Sequence, residues 1–304
     1  MREHLDSFMK VGIVHFMAFP ETMSGESGLI ESVQRIVEDE FFSAIEVGIM
    51  KDPKVRRNVS ETLHSAHLTV GFGAQPYLLR GGYNLNSFNE SERKKAIEVV
   101  KGAIDEAYEL GAERLAFLSG AYPGEDKKAD AIAALVDSLD EICEYAESQG
   151  DLGITLETFD QKIDKKALIG PVEDAAAVAE RVREKHKGFG IMYDLSHAPL
   201  LNEEPQKALN VIKKHLVHVH IGNCVKKDPS VAEYGDKHPR FGYPGGENDT
   251  PQVVAFLKAL FDVGYLGSGK RPIVAFEVKP QANECSKTVI ANAKRTLREA
   301  WFSL

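Results

Sequence analysis

An α/β fold, a single-domain (β/α)8 TIM barrel over residues 1–304, is predicted by three observations on the sequence. Apolar runs with strand character alternate with amphipathic helical stretches along the chain, in eight units. The strand runs are continuously apolar, which is typical of parallel strands covered on both faces. The length of 304 residues suits one barrel of this kind. An open doubly wound sheet is the alternative that the same alternation allows.

Each predicted strand is a short run of mainly apolar residues. Valine, isoleucine, leucine and phenylalanine dominate these runs, and β-branched and aromatic residues favour extended backbone. Two glycines in the third run, Gly71 and Gly73, leave its boundary loosely defined. The eight runs cover residues 11–19, 44–50, 68–74, 114–118, 152–158, 191–195, 216–221 and 272–278.

The helical segments between these runs carry apolar residues three or four positions apart. Asn89 with Glu92 predicts a capping box, and Gly111 predicts the end of that helix. Thr250 is predicted as the cap of a later helix, with Pro251 at its first position. The predicted helices cover residues 28–38, 89–111, 129–148, 172–187, 205–215 and 250–263, and a last one ends near Trp301.

Composition and charge exclude several classes of function. The net charge is −9 and no basic block is present, which argues against broad contact with nucleic acid. Cys143, Cys224 and Cys285 are too few and too scattered for a disulfide framework. Residues 1–6 form no apolar leader, and no run reaches the ~18 apolar residues of a membrane span. These features predict a cytoplasmic protein without membrane contact.

Four predicted strand ends carry one metal-type ligand each. In chain order they are Glu157, Asp194, His220 and Glu277. Active sites of (β/α)8 barrels lie at the carboxyl ends of the strands, and buried carboxylates there require a compensating cation. The pattern predicts one divalent ion, with Mn²⁺ preferred and Mg²⁺, Co²⁺ and Zn²⁺ as alternatives. The other interpretation is that each carboxylate pairs with a lysine or arginine from a loop.

Further histidines lie close to this predicted site. His197 lies three residues beyond Asp194, on the predicted loop after the sixth strand, where it is expected to bind a substrate hydroxyl or the metal, unless it is a solvated turn residue. His218 points to the same side of its strand as His220 and is expected to support it or to lie in the core. His15 and Glu46, in the first two strands, are interpreted as structural.

The long connection 222–249 is predicted to be a functional loop, because its glycine, proline, aspartate and histidine content does not suit a linker. Within it, residues 234–246 crowd Asp236, His238 and Arg240 among glycines and aromatics. This composition predicts a lid whose three polar residues bind substrate. Arg240 could hold a carboxylate or phosphate group in a bidentate manner. A plain surface loop is the alternative.

The set of strand-end residues resembles that of the xylose-isomerase-like barrel superfamily. The resemblance rests on Glu157, on Asp194 with His197 three residues later, on the His-x-His that ends at His220, and on Glu277. It spans all eight predicted strands. Members of the superfamily include ketose 3-epimerases, hydroxypyruvate isomerase, inosose dehydratase, dehydroshikimate dehydratase and the endonuclease IV repair enzymes.

The resemblance implies roles for individual residues. In the epimerase-type members, the residues that match Glu157 and Glu277 bind the metal and also exchange protons on opposite faces of the substrate. The residue that matches His197 contacts a substrate oxygen. Asn223 and Lys226 stand near the places of an aspartate and an arginine that usually bind the sugar, so those sugar contacts are not implied here.

Two branches of the superfamily fit less well. Asp236-Lys-His238 is similar to the Asp-x-His metal pair of the endonuclease IV branch, which leaves a second metal open. That branch also needs two histidines, where this chain has Gln75 and Ser119. The two-metal xylose isomerases carry a lysine near the position of Thr158. Neither branch is therefore indicated.

These observations predict a divalent-metal-dependent isomerase or epimerase of a keto-sugar, acting through a metal-stabilised enediolate. The alternative is a lyase or dehydratase that acts on a keto-sugar or keto-cyclitol after the same first proton removal. An endonuclease IV-type phosphodiesterase and a metal-bound sensor without turnover are less favoured. The expected partner is a small carbohydrate substrate, with no nucleic acid and no membrane. The sequence leaves a homo-oligomer open.

Overall fold

Eight parallel strands form one hydrogen-bonded sheet in the computed structural model, which describes residues 3–304. Met1 and Arg2, with which the predicted domain and the predicted leaderless segment begin, lie outside the described residues. The strands are β1 (Lys10–Ile13), β2 (Ala44–Val47), β3 (Thr69–Gly73), β4 (Arg114–Leu118), β5 (Gly153–Glu157), β6 (Gly190–Asp194), β7 (Leu216–Gly222) and β8 (Ile273–Glu277).

The sheet closes almost completely into a barrel. Strands that follow each other in the chain pair from β2 to β8, and β8 pairs in turn with β1. The remaining gap, between β1 and β2, is bridged where Val14 lies against Glu46. Every residue of β5 and of β6 is buried, as expected for strands with helices outside and side chains inside. The predicted TIM barrel is thereby confirmed, and the open doubly wound sheet is excluded.

Helices connect the strands and cover the outside of the barrel. None of those within the described chain is long and apolar enough to cross a membrane. Short 3₁₀ turns occur at Leu5–Ser7, Pro20–Thr22 and Glu125–Lys127. The α-helices are α1 (His15–Ala18), α2 (Leu29–Val37), α3 (Pro53–Ser65), α4 (Gln75–Gly81), α5 (Glu90–Glu109), α6 (Lys128–Gln149), α7 (Val172–Arg183), α8 (His197–Leu201), α9 (Pro205–Ile212), α10 (Thr250–Asp262) and α11 (Ser286–Phe302).

Four of these helices lie where the sequence pattern predicts a strand or no regular structure. The run 11–19 is predicted as one strand, but β1 ends at Ile13 and the chain turns at Val14 into α1. That prediction is wrong because a short apolar run that is buried looks alike as helix or strand. The sequence pattern does not predict α3, α4 or α8 either; α4 and α8 begin just after the ends of β3 and β6 and are too short to show a helical period.

The cap of α10 differs by one position from the prediction. Asp249 caps the helix: its Oδ1 accepts a hydrogen bond from the backbone of Thr250 at 2.8 Å, and Gln252 Oε1 accepts one from the backbone of Asp249 at 3.1 Å. Thr250 is therefore the first helical residue and not the cap, since aspartate is the stronger cap of the two. Asn89 caps α5 by accepting hydrogen bonds from two backbone N–H groups, but the predicted capping box is not completed, because Glu92 Oε2 accepts from Ser87 Oγ and the backbone N–H of Asn89 donates to Ser87 Oγ.

A β-bulge at Val217 sets the register of β7. The residues on either side of Val217 lie opposite two consecutive residues of β6, Ile191 and Met192, so Val217 is an extra residue in the ladder. Gly190 leaves room for it, because a Cβ there would overlap the Val217 side chain. Beyond the bulge, His220 lies opposite the last residue of β6. The bulge therefore decides which β7 residue stands at the level of the neighbouring strand end.

Candidate metal centre

Four ligand-type side chains meet at the carboxyl ends of β5 to β8. Glu157, Asp194 and Glu277 are the last residues of their strands, and His220 lies near the end of β7. Asp194 pairs with His220 in the sheet, and Glu277 pairs one step further along β7, with Gly222. One ligand atom from each of the four side chains lies within 4.8 Å of the others. The structure thus brings together the four ligands that the sequence predicts.

The arrangement fits a divalent cation. Glu157 Oε1 and Asp194 Oδ2 are buried oxygens without a hydrogen-bond partner among the described residues. His220 Nδ1 lies 3.8 Å from Glu157 Oε1 and 2.7 Å from Glu277 Oε2. Buried, unpartnered carboxylate oxygens are costly unless a cation compensates them. Three carboxylates and one imidazole supply a donor set of the kind that divalent metals take.

The surroundings shift the pKa values of the two glutamates of this centre in opposite directions. Burial raises the pKa of Glu157 to about 8, and the neighbouring charge of Glu277 adds to the rise. Burial also acts to raise the pKa of Glu277, but His238 and His220 outweigh it and hold that pKa at about 2. Pairs of carboxyl groups whose surroundings push their pKa values apart are typical of acid–base sites.

Gln75 is a part of the site that the sequence analysis does not assign. Its Nε2 donates a hydrogen bond to Glu157 Oε2 at 2.7 Å, and its side chain is buried at the start of α4. This bond leaves Glu157 Oε1 to face the centre. Gln75 stands directly after the end of β3, and a buried amide at a barrel rim is the signal that points to it.

His197, the first residue of α8, is fixed at both ring nitrogens. Nδ1 donates to the carbonyl oxygen of Thr158 at 2.7 Å, and Nε2 lies 3.1 Å from Asp236 Oδ1. Burial would lower the pKa of His197, but the charges of Asp236 and Asp194 raise it well above its usual value. A solvated turn histidine is therefore excluded, since His197 is fully buried.

The long loop delivers two more polar side chains to the centre. His238 Nε2 lies 2.7 Å from Asp236 Oδ1 and 3.4 Å from Glu277 Oε1, and both loop residues are buried. Lys165 pairs with Asp236 at 2.9 Å from another loop. Burial would lower the pKa of His238, but Asp236 and Glu277 raise it to about 9. His238 also adopts a φ of 50°, which is uncommon outside glycine.

A second group of ligand-type atoms adjoins the first. Atoms of Asp194, His197 and His238 lie within 4.8 Å of one another. His238 Nδ1 has no hydrogen-bond partner among the described residues and lies 3.9 Å from Asp194 Oδ2. The Asp-x-His pair of the loop therefore reaches the same centre as the strand-end residues.

Arg240 is placed apart from these residues. Its Nε lies 2.8 Å from Glu284 Oε1, and its Nη1 donates to the carbonyl oxygens of Phe241 and Gly242 at 3.2 and 3.1 Å. The guanidinium also lies over the ring of Tyr243. Of the four substrate-binding residues that the sequence predicts, Arg240 is the one whose donors bind Glu284 and the loop backbone.

A cavity of about 210 Å³ opens onto the centre. His220 and Glu277 line it, while Glu157 and Asp194 lie fully buried at its inner end. Its apolar lining residues, apart from Phe159, come from the first half of the barrel, and most of its polar and charged lining residues come from the second half. The lining consists of Val14, Phe16, Met17, Met23, Pro76, Leu79 and Phe159 on the apolar side, and Glu46, Gln75, Arg80, Lys165, His220, Asp236, Lys237, His238, Glu277 and Lys279 on the other.

Comparison with known proteins gives a family match. The model of the family described as xylose isomerase-like TIM barrel matches residues 36–285. This range contains β2 to β8, and with them all four strand-end ligands and both polar residues of the loop. No curated protein is similar to this chain by sequence.

Solved structures with the same fold cover nearly the whole chain. A D-tagatose 3-epimerase-like protein superposes with a TM-score of 0.71 at 20% identity, over 97% of this chain and 99% of its own. The 3-keto-D-glucoside 4-epimerase YcjR from E. coli gives 0.65 at 19%, over 95% and 98%. The IOLI protein with a bound zinc atom gives 0.72 at 17%, over 96% and 98%. At these identities the likeness shows the fold.

Proposed function

The chain belongs to the xylose isomerase-like TIM barrel family, and on this premise we propose that it is a divalent-metal-dependent isomerase or epimerase of a small keto-sugar. The observation that carries the proposal is the convergence of Glu157, Asp194, His220 and Glu277, with two buried oxygens that lack a partner. The similar proteins named as sugar epimerases support the substrate class. They act at different carbons, so they do not single out one sugar.

The four strand-end residues are proposed to hold one ion. Three oxygens and one nitrogen suit Mn²⁺, Mg²⁺ or Co²⁺, and the zinc atom bound by the structurally similar IOLI protein supports a divalent ion. The ion, when bound, supplies Lewis-acid polarisation of a substrate carbonyl and offsets the negative charge that develops there. Glu157 Oε1 and Asp194 Oδ2 have no hydrogen-bond partner among the described residues, so both are available to the ion, and Glu157 has a second role in proton transfer.

Glu157 and Glu277 are proposed to move the substrate proton. Glu277 lines the cavity and its lowered pKa keeps it ionised, as a base must be. Glu157 stands across the centre, and Gln75 holds its Oε2 while Oε1 faces inward. The raised pKa of Glu157 suits a group that returns a proton near neutral pH. The two side chains approach the centre from different strands, so they can serve opposite faces of one carbon.

His197, Asp236 and His238 are proposed to orient the substrate hydroxyl groups. Asp236 and His238 line the cavity, and His197 holds Asp236 in place through the contact of its Nε2 with Asp236 Oδ1. The apolar wall, with Phe16 and Met17, packs against the less polar face of a sugar and limits the access of water. Arg240 is assigned to the loop framework in this proposal, because its donors already bind Glu284 and two carbonyl oxygens.

A lyase or dehydratase acting on a keto-sugar or keto-cyclitol is the second candidate, and one observation favours it. His238 lines the cavity with a pKa of about 9, so it is protonated at neutral pH. It could donate that proton to a leaving hydroxyl or alkoxide after the first proton removal. A phosphodiesterase is not proposed, because Gln75 binds Glu157 and Ser119 Oγ accepts a bond from the backbone of Ile169.

The test uses Glu157→Gln and Glu277→Gln, which keep an oxygen for the ion but remove a base. Each should retain at least part of the metal and lower kcat by about 10²-fold or more, the scale of a lost general base. Glu203→Gln is a matched control, since Glu203 is a half-buried carboxylate that accepts a hydrogen bond from the backbone of Val172. It should leave kcat almost unchanged.

The reaction is read by NMR in D₂O with ketoses, 3-keto-sugars and inososes in the presence of Mn²⁺-loaded protein. Isomerisation, epimerisation and elimination give different products, and solvent deuterium marks the carbon that lost its proton. An epimerase variant that lacks one base should still exchange that proton without forming product. Near-normal turnover in either glutamate variant would remove that residue from proton transfer, and a released fragment would identify the lyase.

A further inference from the structure

Glu46, at the closure of the barrel, contacts two histidines of β7 from the opposite side of the cavity. Its Oε1 lies 2.8 Å from His218 Nε2, and both of its oxygens lie 3.0 Å from His220 Nε2. Glu46 is 4% exposed, and the two histidines are as deeply buried. Within residues 3–304, the ion pairs of Glu46 are with these two rings. A buried carboxylate with such partners requires an explanation.

The neighbouring strand, β3, has a glycine where the side chain of Glu46 packs against it. Gly71 of β3 lies beside it, and a Cβ on that glycine would come within 2.9 Å of Glu46 Cγ. The backbone of Glu46 is held by its bridge to Val14, which joins the two edges of the barrel. Both observations indicate a fixed side chain in a space made for it.

The contacts of Glu46 decide which nitrogen of His220 carries a proton. Nε2 lies between two carboxylate oxygens, so it must be a donor. A metal-binding ring is neutral, and its lone pair is then at Nδ1; without an ion, Nδ1 carries a proton too and donates it to Glu277 Oε2 at 2.7 Å. Metal-binding histidines commonly donate their other N–H to a carboxylate in this way.

We propose that Glu46 is a positioning residue, which holds His220 in the orientation and tautomer that bind a divalent ion through Nδ1. The inference rests on the proposed metal centre. His218 holds Glu46 from its other side, with its ring edge-on to that of His220 at 5.1 Å between centroids. The spacings of 2.8 to 3.0 Å between Glu46 and both rings are those of direct hydrogen bonds.

Glu46→Gln tests the proposal with almost no change of shape. One carboxylate oxygen becomes an N–H donor, and in either orientation of the amide that donor faces the Nε2–H of His220. These two donors repel each other unless His220 moves or carries its proton on Nδ1, which is the proposed ligand atom. The affinity of the metal-free protein for Co²⁺, measured by titration calorimetry, should fall by about 10- to 100-fold.

His218→Leu is the matched control. It removes a neighbour of Glu46 but leaves both carboxylate oxygens to His220, so it should keep most of the Co²⁺ affinity and the same stoichiometry as the wild type. If it instead loses one equivalent of Co²⁺, then Glu46, His218 and His220 form a metal site of their own, since their ligand atoms also lie within 4.8 Å. That result would overturn the positioning role. Circular dichroism melting curves show whether both variants fold.

The Nε2–H proton of His220 gives a readout that does not depend on turnover. In ¹H–¹⁵N spectra the wild type should show it as a slowly exchanging signal, assigned by its loss in His220→Gln and by its persistence when Zn²⁺ is added, since the ion replaces the proton on Nδ1 only. Glu46→Gln should lose that signal or exchange it rapidly. Unchanged Co²⁺ affinity with an unchanged signal would refute the proposal. If the wild type binds no Co²⁺, the proposed function fails, and the metal-free spectra still decide the role of Glu46.

Discussion

The carboxyl ends of β5 to β8 and those of β1 to β4 face one cavity but carry different kinds of side chain. Three strands of the second half end in carboxylates, and the fourth, β7, carries His220 two residues before its end. The last residues of the first half are Ile13, Val47, Gly73 and Leu118. The polar residues of the first half, Gln75 and Glu46, bind second-half residues instead of the open centre. One half thus supplies the reacting groups, and the other holds them and forms the apolar wall.

The largest expected effect is in the second half. Asp194→Asn removes a charge from a residue that is fully buried and has one unpartnered oxygen. Since the other ligands cannot replace that charge, the protein should lose the metal and at least about 10²-fold in activity while it stays folded. His220→Ala should behave alike. Elemental analysis that finds full metal occupancy in both variants would refute the centre.

A smaller effect is expected in the first half of the barrel, where a fall in pH should lower the free energy of unfolding through His15. This residue is buried, and its Nε2 forms a hydrogen bond with Ser32 Oγ at 2.8 Å. Burial lowers the pKa of His15 to about 4, whereas the unfolded chain titrates near its usual value. The neutral ring therefore stabilises the fold above pH ~6.5, and that contribution of about 3 kcal/mol is lost as the pH falls towards 4.

Urea unfolding of the wild type and of His15→Gln, measured between pH 7 and pH 4, checks this prediction. The difference in unfolding free energy between the two proteins should change steadily in favour of the variant as the pH falls. A difference that is constant over this range would mean that His15 does not titrate as its burial indicates. Contributions from the other histidines are common to both proteins and cancel in this comparison.

Gln75→Leu should have a moderate effect on turnover. It removes the 2.7 Å bond to Glu157 Oε2 but leaves all four ligands in place. A hydrogen bond to a charged group is worth about 1.5–3 kcal/mol, so kcat should fall by about tenfold or more while the metal content is unchanged. Steady-state kinetics with elemental analysis separates these quantities. Loss of the ion in this variant would place Gln75 among the residues on which the centre itself depends.

Arg240→Ala is expected to have the smallest effect. Its partly exposed pair with Glu284 and its bonds to two carbonyl oxygens hold the loop, so the unfolding free energy should fall by about 1 kcal/mol with KM unchanged. A strong rise of KM at constant metal content would instead support the substrate contact predicted from the sequence. His238→Ala, assayed in parallel, distinguishes a substrate ligand from a second metal site by the equivalents of metal bound.

The sequence predicts the barrel and the four ligands because both follow from local patterns. Apolar runs of strand length predict the sheet. A charged residue at the end of such a run, such as Glu157 or Asp194, is recognisable as a candidate site residue. Helices that are short or fully buried, such as α1 and α8, give no readable period, and the first of them is taken for strand.

What the sequence does not reveal are contacts across the barrel. Glu46 and His220 are far apart in the chain and meet only because the sheet closes, so no spacing indicates their bond. Gln75 is polar and uncharged, and its partner Glu157 is on another strand. Arg240 has the right chemistry for a substrate ligand, but the path of the loop, which no local pattern encodes, turns it towards Glu284.

The bulge at Val217 also determines where β7 can change in length. A residue gained or lost before His218 can be absorbed at the bulge, because the ladder beyond it keeps its own register with β6. The same change between His218 and His220 would turn the second ring to the opposite face of the strand. Insertions and deletions should therefore accumulate on one side of His218 and be absent on the other during the divergence of related chains.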